Sequence, residues 1–466
     1  MEAGIIVFQL LSFYNIGFIK KKNMVFSKYN FLFESSKYGC LLYNSVSNAF
    51  IRLDRNSFEE LKKIEQDSTL INKLSDSSLK KLKEAKVIVT DDNQFFYNKR
   101  MNFYFNTFDA VNLGLAIAPT THCNFSCSYC YEGSRKPIYM TPEVEKEIIK
   151  FIKRYERVKN LNLTWYGGEP LMGFESIKRL LFDIKEISDI KLCHHTMTSN
   201  GYLLTREKSL FFRDYPLTCI QITIDGNKQA HDNRRTLAPN RMPTYDVIVE
   251  NIEQFIDLNP DTRVAIRANL DHSNSETFIE IFKELSDRWK GRNVIVYPAF
   301  VKDFQSLNRE TNKDNFAANG CRDICFTTSE KMQFFEKLHK KYGLEVNFRP
   351  EYTVGGCGAT IVNYFVIGPK GELYKCWNDI GDENFIVGNV VENKITNYEL
   401  LSRYIGGPNM MDDPKCCECK LFPICDGGCA WNRHKNIFNG ASMQLCSSRI
   451  SNPEKAFELY YEQLIK

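Results

Sequence analysis

The sequence has almost no excess charge of either sign. Its 61 Lys and Arg against 57 Asp and Glu leave a net charge of +4 over 466 residues, too slight to argue for nucleic acid or an acidic membrane as partner. Nor do we expect an export signal. Residues 3–19 (AGIIVFQLLSFYNIGFI) are apolar, but Gln9, Ser12 and Asn15 interrupt them. The basic run Lys20–Lys22 follows this stretch instead of preceding it, and no small-residue cleavage site is present. These absences argue against a membrane span and against the oxidising compartment that a disulfide framework needs. We expect a cytoplasmic protein with an upstream-extended start, its true beginning near Met24.

What the sequence holds in excess is cysteine. Sixteen of them are too many for a chain that uses them only as small hydrophobes, so thiolates binding metal in a reducing compartment are the leading expectation. The length suits two or three domains, and 43% hydrophobic and 25% charged residues are ordinary for a globular protein. The first hundred residues are mildly basic, with 16 Lys and Arg against 11 Asp and Glu, a bias that would favour an acidic peptide.

The pattern divides along the chain. From Met24 to about Arg100, β-rich runs at Tyr29–Phe33, Cys40–Tyr43 and Ala49–Leu53 precede helical spacing at Ser57–Ile64 and Leu79–Ala85. Val87–Val89 and Phe95–Tyr97 then flank Asp91-Asp92-Asn93 as a hairpin, and the whole reads as a winged-helix-like module. From about Val111, strands at Leu113–Ala118, Leu161–Trp165, His194–Thr198, Cys219–Ile224, Val264–Asn269 and Val294–Tyr297 alternate with helical patterns. Six β/α repeats predict an α/β fold with a partial (β/α)6 TIM-like barrel, whose chemistry sits at the C-terminal ends of the strands. After Asn347 the chain turns irregular and cysteine-dense, with eight cysteines between Cys357 and Cys446. Expected domains are 24–100, 105–300, a bridging segment 301–350, a cysteine-rich domain 351–450 and a C-terminal helix 451–466.

Directly after the first barrel strand comes Cys123-Asn-Phe-Ser-Cys127-Ser-Tyr-Cys130. Three thiolates on one short loop can hold three irons of a [4Fe–4S] cube and leave the fourth open to a small molecule. A zinc site or surface thiols would also explain the triplet taken alone. It resembles the CX3CX2C motif of radical SAM enzymes, including an aromatic residue, Tyr129, before the last cysteine. Three further strand ends carry the same resemblance. Tyr166-Gly167-Gly168-Glu169-Pro170 is similar to the family's GGEP segment, which receives the methionine moiety of S-adenosylmethionine. Thr198-Ser199-Asn200-Gly201 lies where the family contacts the ribose. Thr223-Ile-Asp225-Gly226, followed by His231-Asp-Asn-Arg234-Arg235, is similar to the segment that holds the carboxylate. Each alone has a plain reading as a turn or a solvated charge. Together, at four successive strand ends, they imply S-adenosylmethionine as cofactor, with Cys123, Cys127 and Cys130 holding the cluster. By the same resemblance Tyr129, Gly167, Gly168, Glu169, Ser199, Asn200, Thr223, Asp225 and Arg235 contact the cofactor, and a donor such as flavodoxin or ferredoxin supplies the electron. The likeness covers about residues 105–300.

The C-terminal cysteines have a spacing of their own: Cys357, then Gly371 and Cys376, then Cys416, Cys419, Cys425 and Cys429, and last Cys446. Cys416-x2-Cys419 alone would suit a zinc ribbon. The whole resembles the seven-cysteine SPASM pattern, which implies two auxiliary [4Fe–4S] clusters and three clusters in all. The resemblance assigns Cys416, Cys419, Cys425 and Cys446 to one, and Cys357, Cys376 and Cys429 to the other. Where some relatives carry a further cysteine this chain has Glu351, so either Cys321 or Cys325 completes the first auxiliary cluster or an iron stays open. Cys417 is expected on the surface, and Cys40, Cys193 and Cys219 in the core.

SPASM enzymes mostly modify peptides or proteins. The strand-rich start, Lys28–Asp54, together with Trp165-Tyr-Gly-Gly-Glu and Gln221-Ile-Thr-Ile-Asp-Gly, looks like the maturases of ribosomally made peptides. In these an N-terminal winged helix binds the precursor's leader by strand addition. Sulfatase-maturing enzymes, which make formylglycine, are the alternative and generally lack such an extension. A winged-helix regulator that senses redox state through its clusters is the alternative of another class, with Lys80, Lys81, Lys83 and Lys86 as its basic helix face. It has no need of the barrel motifs. The expected function is therefore a radical SAM peptide maturase that installs a cross-link (thioether, C–C or ether) or a related modification, without nucleic acid or membrane as partner.

Overall fold

The computed structural model describes residues 24–132, 136–302, 325–344, 346–407 and 409–465. They divide into two compact units. One comprises the residues up to Asn98 together with Pro350–Tyr352 and Cys419–Ile424; the other comprises the rest.

In the N-terminal unit β1 (Val25–Phe26) precedes the antiparallel meander of β2 (Asn30–Ser35), β3 (Gly39–Asn44) and β4 (Phe50–Leu53). The tight β2–β3 turn needs Gly39, which sits at φ +77° where a side chain is strained. Register places Leu32, Leu42 and Ile51 across from one another, so one face of the sheet is apolar. It packs with Leu61 and Ile64 of α1 (Arg55–Gln66) and with Ile71, Leu79 and Val87. Each side chain so buried stabilises the unit by roughly 1.5–3 kcal/mol. Asp54 caps α1 through the Ser57 amide at 2.9 Å, and Ser75 caps α2 (Asp76–Glu84).

The hairpin expected over residues 87–97 is absent. β5 (Ile88–Val89) pairs antiparallel with β1 instead, and Phe95–Tyr97 lie in α3 (Asn93–Thr107). The acidic turn explains the difference. Asp92 accepts hydrogen bonds from the Ser27 hydroxyl (2.6 Å) and the Lys28 amide (2.7 Å), while Asp91 accepts from the Asn93 amide (2.9 Å). The residues expected to turn a hairpin therefore start a helix.

The second unit is built on parallel strands joined through helices. In chain order they run β6 (Asn112–Ile117), the short β7 (Phe125–Cys127), α4 (Pro142–Lys153), β8 (Asn160–Trp165), α5 (Phe174–Lys185), β9 (Lys191–Ser199) and α6 (Arg206–Asp214). Next come β10 (Cys219–Thr223), α7 (Lys228–Arg234), β11 (Arg235–Leu237), α8 (Tyr245–Leu258), β12 (Arg263–Leu270), α9 (Ser275–Arg288), β13 (Val294–Phe300) and α10 (Thr328–Lys340). Strands β6, β8, β9, β10, β12 and β13 pair in that order, each parallel to the next. All six expected strands and the six helices are thus present, with ends shifted by a few residues. On β8, Leu161, Leu163 and Trp165 are buried while Asn162 and Thr164 are half-buried. The apolar set joins the core with Ile148, Ile152, Ile177 and Leu180 of α4 and α5.

The sheet does not end at six strands. β14 (Tyr364–Ile367) pairs parallel with β6, and β15 (Glu372–Tyr374), β16 (Gly388–Asn389) and β17 (Lys394–Ile395) extend it antiparallel. Gly114 makes this possible, because a Cβ there would lie 2.5 Å from the Tyr364 ring. The cysteine-rich region therefore draws order from the main sheet. It adds the helices α11 (Tyr398–Ile405), α12 (Pro414–Cys417), α13 (Ala430–Phe438) and α14 (Pro453–Leu464). Among the described residues no helix is long and apolar enough to cross a membrane; the apolar stretch 3–19 lies outside them.

Candidate functional site

The cysteine loop follows β6 and is held by backbone. Its residues Phe125–Cys127 form β7, which pairs antiparallel with β11 so that Arg235 faces Cys127. The Ser128 amide donates to the Arg234 carbonyl (3.1 Å) and the Ala238 amide to the Asn124 carbonyl (2.8 Å). The loop that carries the three thiols is thus stitched to the segment after β10, the fourth parallel strand.

The glycines after β8 press on the same loop. A Cβ at Gly167 would lie 2.4 Å from the Thr120 carbonyl oxygen, and one at Gly168 would lie 2.5 Å from that of His122. Gly167 also sits at φ +126°, so both positions exclude other residues. Their missing side chains make room for the Thr120–His122 backbone. Glu169 is fully buried and accepts three hydrogen bonds. These come from the Leu171 amide (3.0 Å), the Ser199 hydroxyl (2.8 Å) and the Asn200 amide (2.7 Å). Burial raises its carboxyl above the usual range, and these donors oppose the shift. Glu169 therefore ties the second strand end to the third, and Asn200 reaches on to Asn124 (2.8 Å) and towards the Cys123 sulfur (3.9 Å).

A second network centres on Tyr129. Its hydroxyl donates to Asp225 and accepts from Arg235 Nη1 (2.6 Å) and Asn269 Nδ2 (3.1 Å). Asp225 is fully buried and also accepts from the Asn269 amide (2.8 Å). The Arg234 guanidinium lies over the Tyr129 ring at 4.9 Å and pairs with Asp271 at 2.7 Å. Burial raises the Tyr129 hydroxyl well above its ordinary value and Arg235 opposes this, so it stays protonated. Asn269 had no sequence signal, since a lone Asn at a strand end has no spacing to mark it.

The Tyr129 network borders a cleft of about 570 Å³. Tyr129, Thr198, Thr223, Arg267 and Asn269 line it from the strand ends, and Tyr131 and Tyr166 from the loops. Its far wall carries Cys357, Cys376 and Cys429 with Lys375, Trp377 and Trp431. Burial raises the thiols of Cys357 and Cys376, and the charge of Cys429 adds to both. Lys375 is fully buried, donates to the carbonyls of Ile361 (2.6 Å) and Tyr364, and is pushed down to about 7 by burial. Cys416 accepts from Arg433 Nη2 at 3.1 Å, and Lys99 donates to the Cys425 carbonyl at 2.9 Å. Cys446 is exposed, and Cys419 belongs to the N-terminal unit. Cys417 is half-buried, not on the surface; its thiol donates to the Met411 carbonyl at 3.3 Å. Cys40 is buried, whereas Cys193 and Cys219 are only half-buried. Cys321 lies outside the described residues, and Cys325 is disulfide-bonded.

The donor set fits the groups that the sequence implies. Cys123 feels the charge of Cys127 and Cys130, burial raises all three thiols, and Arg235 opposes the shift at Cys127. Such thiols give up their protons to iron. Among the described residues no three His, Cys, Asp or Glu side chains gather as a single-ion site requires; thiolates at the corners of a cube need not meet at a point. Asn124 Nδ2, Arg234 Nε and Arg235 Nε are buried donors without hydrogen-bond partners, a polar environment suited to an anionic group such as a carboxylate.

Comparison with known proteins agrees with this geometry. The chain is 21% identical to the radical SAM cyclopropyl synthase TigE of Paramaledivibacter caminithermalis, covering 88% of this chain and 90% of that protein. It is 22% identical to a cysteine-type anaerobic sulfatase-maturating enzyme of Clostridium novyi, over 74% of this chain and 95% of that one. The solved structure of native anSMEcpe with bound AdoMet and Kp18Cys peptide shares the fold, with a TM-score of 0.58, 19% identity and coverage of 76% and 98%. Residues 117–285 match the Radical SAM superfamily, and the chain carries a radical SAM domain.

Proposed function

We propose that the protein is a radical SAM peptide maturase that removes hydrogen from a ribosomally made precursor and installs a cross-link or related modification. The observation that supports this most is one cleft bordered on one side by the cysteine loop and strand ends, and on the other by Cys357, Cys376 and Cys429. When bound, the cluster and S-adenosylmethionine supply the 5′-deoxyadenosyl radical, after one electron from a donor such as flavodoxin or ferredoxin.

The chain's own residues bind and orient. Cys123, Cys127 and Cys130 hold the first cluster. Glu169, Ser199 and Asn200 fix the strand ends that receive the cofactor with Gly167 and Gly168, and Tyr129, Thr223, Asp225 and Arg235 hold its amino-acid end. Cys416, Cys419, Cys425 and Cys446 hold one auxiliary cluster and Cys357, Cys376 and Cys429 the other, three clusters in all. The aromatic wall of Tyr131, Tyr166 and Trp377 excludes water from the reacting carbon. The N-terminal unit binds the precursor's leader.

The sulfatase-maturase reading is favoured by the relative that matches 74% of the chain. The likeness to the cyclopropyl synthase reaches further, over 88%, and so takes in more of the chain. Co-expression with a small peptide encoded beside the gene, followed by its mass, tests the proposal. A loss of two hydrogens supports a cross-link, whereas formylglycine in a co-expressed sulfatase overturns the peptide-maturase reading.

A further inference from the structure

Two arginines that contact Tyr129, itself in the cleft lining, already face carboxylates. Arg234 pairs with Asp271, and Arg235 donates to Tyr129 near Asp225. Arg267 is different. It stands on β12, in register with Thr223 of β10 and Tyr297 of β13, half-buried and lining the cleft. Its Nε donates to the Asn269 side chain at 2.9 Å. Among the described residues no carboxylate pairs with it, and its two Nη groups have no hydrogen-bond partner. Its polar neighbours do not neutralise it either: Gln221 is taken up by the Tyr297 hydroxyl at 2.7 Å. Lys302 and Lys375 line the same cleft, and among the described residues its one acidic lining residue is Asp426.

A guanidinium held in a concave site without a counter-charge is costly unless a ligand brings one. Its free Nη fork matches a carboxylate, accepted through two parallel hydrogen bonds. Resting on the peptide-maturase reading, we infer that Arg267 is a specificity-determining residue that binds an acidic side chain of the peptide substrate. The substrate would then carry Asp or Glu near the reacting residue, with that carboxylate anchored on β12 and the reacting carbon between the strand ends and the Cys357 wall. The cofactor's carboxylate is the competing source of the same chemistry, and its expected partners are Thr223 and Arg235.

The test uses reconstituted, anaerobic full-length protein and the probes N-acetyl-L-glutamate amide and N-acetyl-L-glutamine amide. The readout is line broadening of their acetyl protons, with saturating S-adenosylmethionine present. Iron content and 5′-deoxyadenosine formation by the wild type are measured first, and their failure counts against the radical SAM peptide reading, not against Arg267. The expected result is broadening of the glutamate probe only, reduced at least tenfold in Arg267→Gln and partly restored in Arg267→Lys, both with wild-type iron content. Three results overturn the proposal: no broadening by the wild type, equal broadening by Arg267→Gln, or broadening that S-adenosylmethionine abolishes, which would assign Arg267 to the cofactor.

Discussion

The ring of Trp377 lies flat on that of Tyr166, with centroids 5.2 Å apart and planes inclined by 17°. Tyr166 shares a hydrogen bond through its hydroxyl with Tyr131, and all three line the cleft. Tyr131 directly follows Cys130 and Trp377 directly follows Cys376, so the aromatic wall joins the two cysteine arrays. A stacked pair is worth about 0.5–1.5 kcal/mol beyond its buried area, and Trp377 is 41% exposed, so its loss should be tolerated by the fold. Trp377→Ala should open the cleft to water. We expect the yield of modified peptide per 5′-deoxyadenosine to fall several-fold, read by liquid chromatography and mass spectrometry. An unchanged ratio would remove the wall from the chemistry.

Tyr129 makes a sharper prediction. Tyr129→Phe leaves the buried Asp225 without one donor, and the buried Arg235 and half-buried Asn269 without one acceptor. Leaving such groups unsatisfied costs about 1–3 kcal/mol. The midpoint of thermal unfolding should drop by several degrees, and affinity for S-adenosylmethionine should weaken because Arg235 loses its fixed orientation. A wild-type midpoint and affinity together would show that the hydroxyl only fills space.

The three loop cysteines decide the cofactor chemistry. With three cubes, reconstituted protein should carry about twelve irons. Replacing Cys123, Cys127 and Cys130 together with Ala should remove about four of them and all 5′-deoxyadenosine. Cofactor cleavage that survives in this variant would sink the assignment of these thiols.

His195 sets an acid limit on stability. Its Nε2 accepts from Trp165 Nε1 at 2.7 Å while Nδ1 faces the Pro216 carbonyl at 3.0 Å, so the ring is held neutral. Burial pushes it down to about 4 from the usual 6.5. The unfolded chain takes up this proton below pH 6.5 and the folded chain does not until about pH 4. The contribution is therefore fully present above pH 6.5 and lost as the pH falls to about 4, roughly 3 kcal/mol in all. His195→Gln keeps an acceptor for Trp165 and removes the titration. The difference in unfolding midpoint between wild type and variant should shrink from pH 7 to pH 5; a constant difference would contradict the argument.

What the sequence revealed and what it hid follow from the range of the interactions. The parallel strands announced themselves through their regular alternation with helical spacing of apolar residues, and the site segments through glycines and cysteines at fixed spacing. Phe95–Tyr97 misled because the true partner of Ile88–Val89 is Val25–Phe26, more than sixty residues away. Strands β14–β17 were missed for the same reason: they are two to four residues long, and the longest pairs with β6, some 250 residues earlier. Arg267 and Asn269 carry no local signal either. Only the register of β10 and β12 brings Arg267 beside Thr223, and only the fold brings Asn269 to Tyr129.

The N-terminal unit raises a difficulty for the obvious truncation, and the difficulty suggests the better test. Its core includes Cys419–Ile424. Phe422 is 1% exposed and packs on Phe96 with centroids 5.4 Å apart, and the Lys420 carbonyl accepts from the Ser45 hydroxyl at 2.7 Å. Deleting the unit would strip the surroundings of Cys419, an expected cluster ligand, and would confuse loss of recognition with loss of iron. Altering the leader instead leaves the protein intact. A strand added to the edge of the β2–β3–β4 meander presents every second backbone N–H to its neighbour. Methylating the leader's backbone nitrogens one at a time should therefore weaken binding at alternate residues, each by at least several-fold, as read by fluorescence anisotropy. β4 is the edge to examine, since its residues are half-buried to exposed while β2 is largely buried. Arg52→Glu, on the exposed side of β4, should weaken an acidic leader further without changing iron content. Sensitivity at no position, or at every position alike, would mean that the leader is not held as a strand.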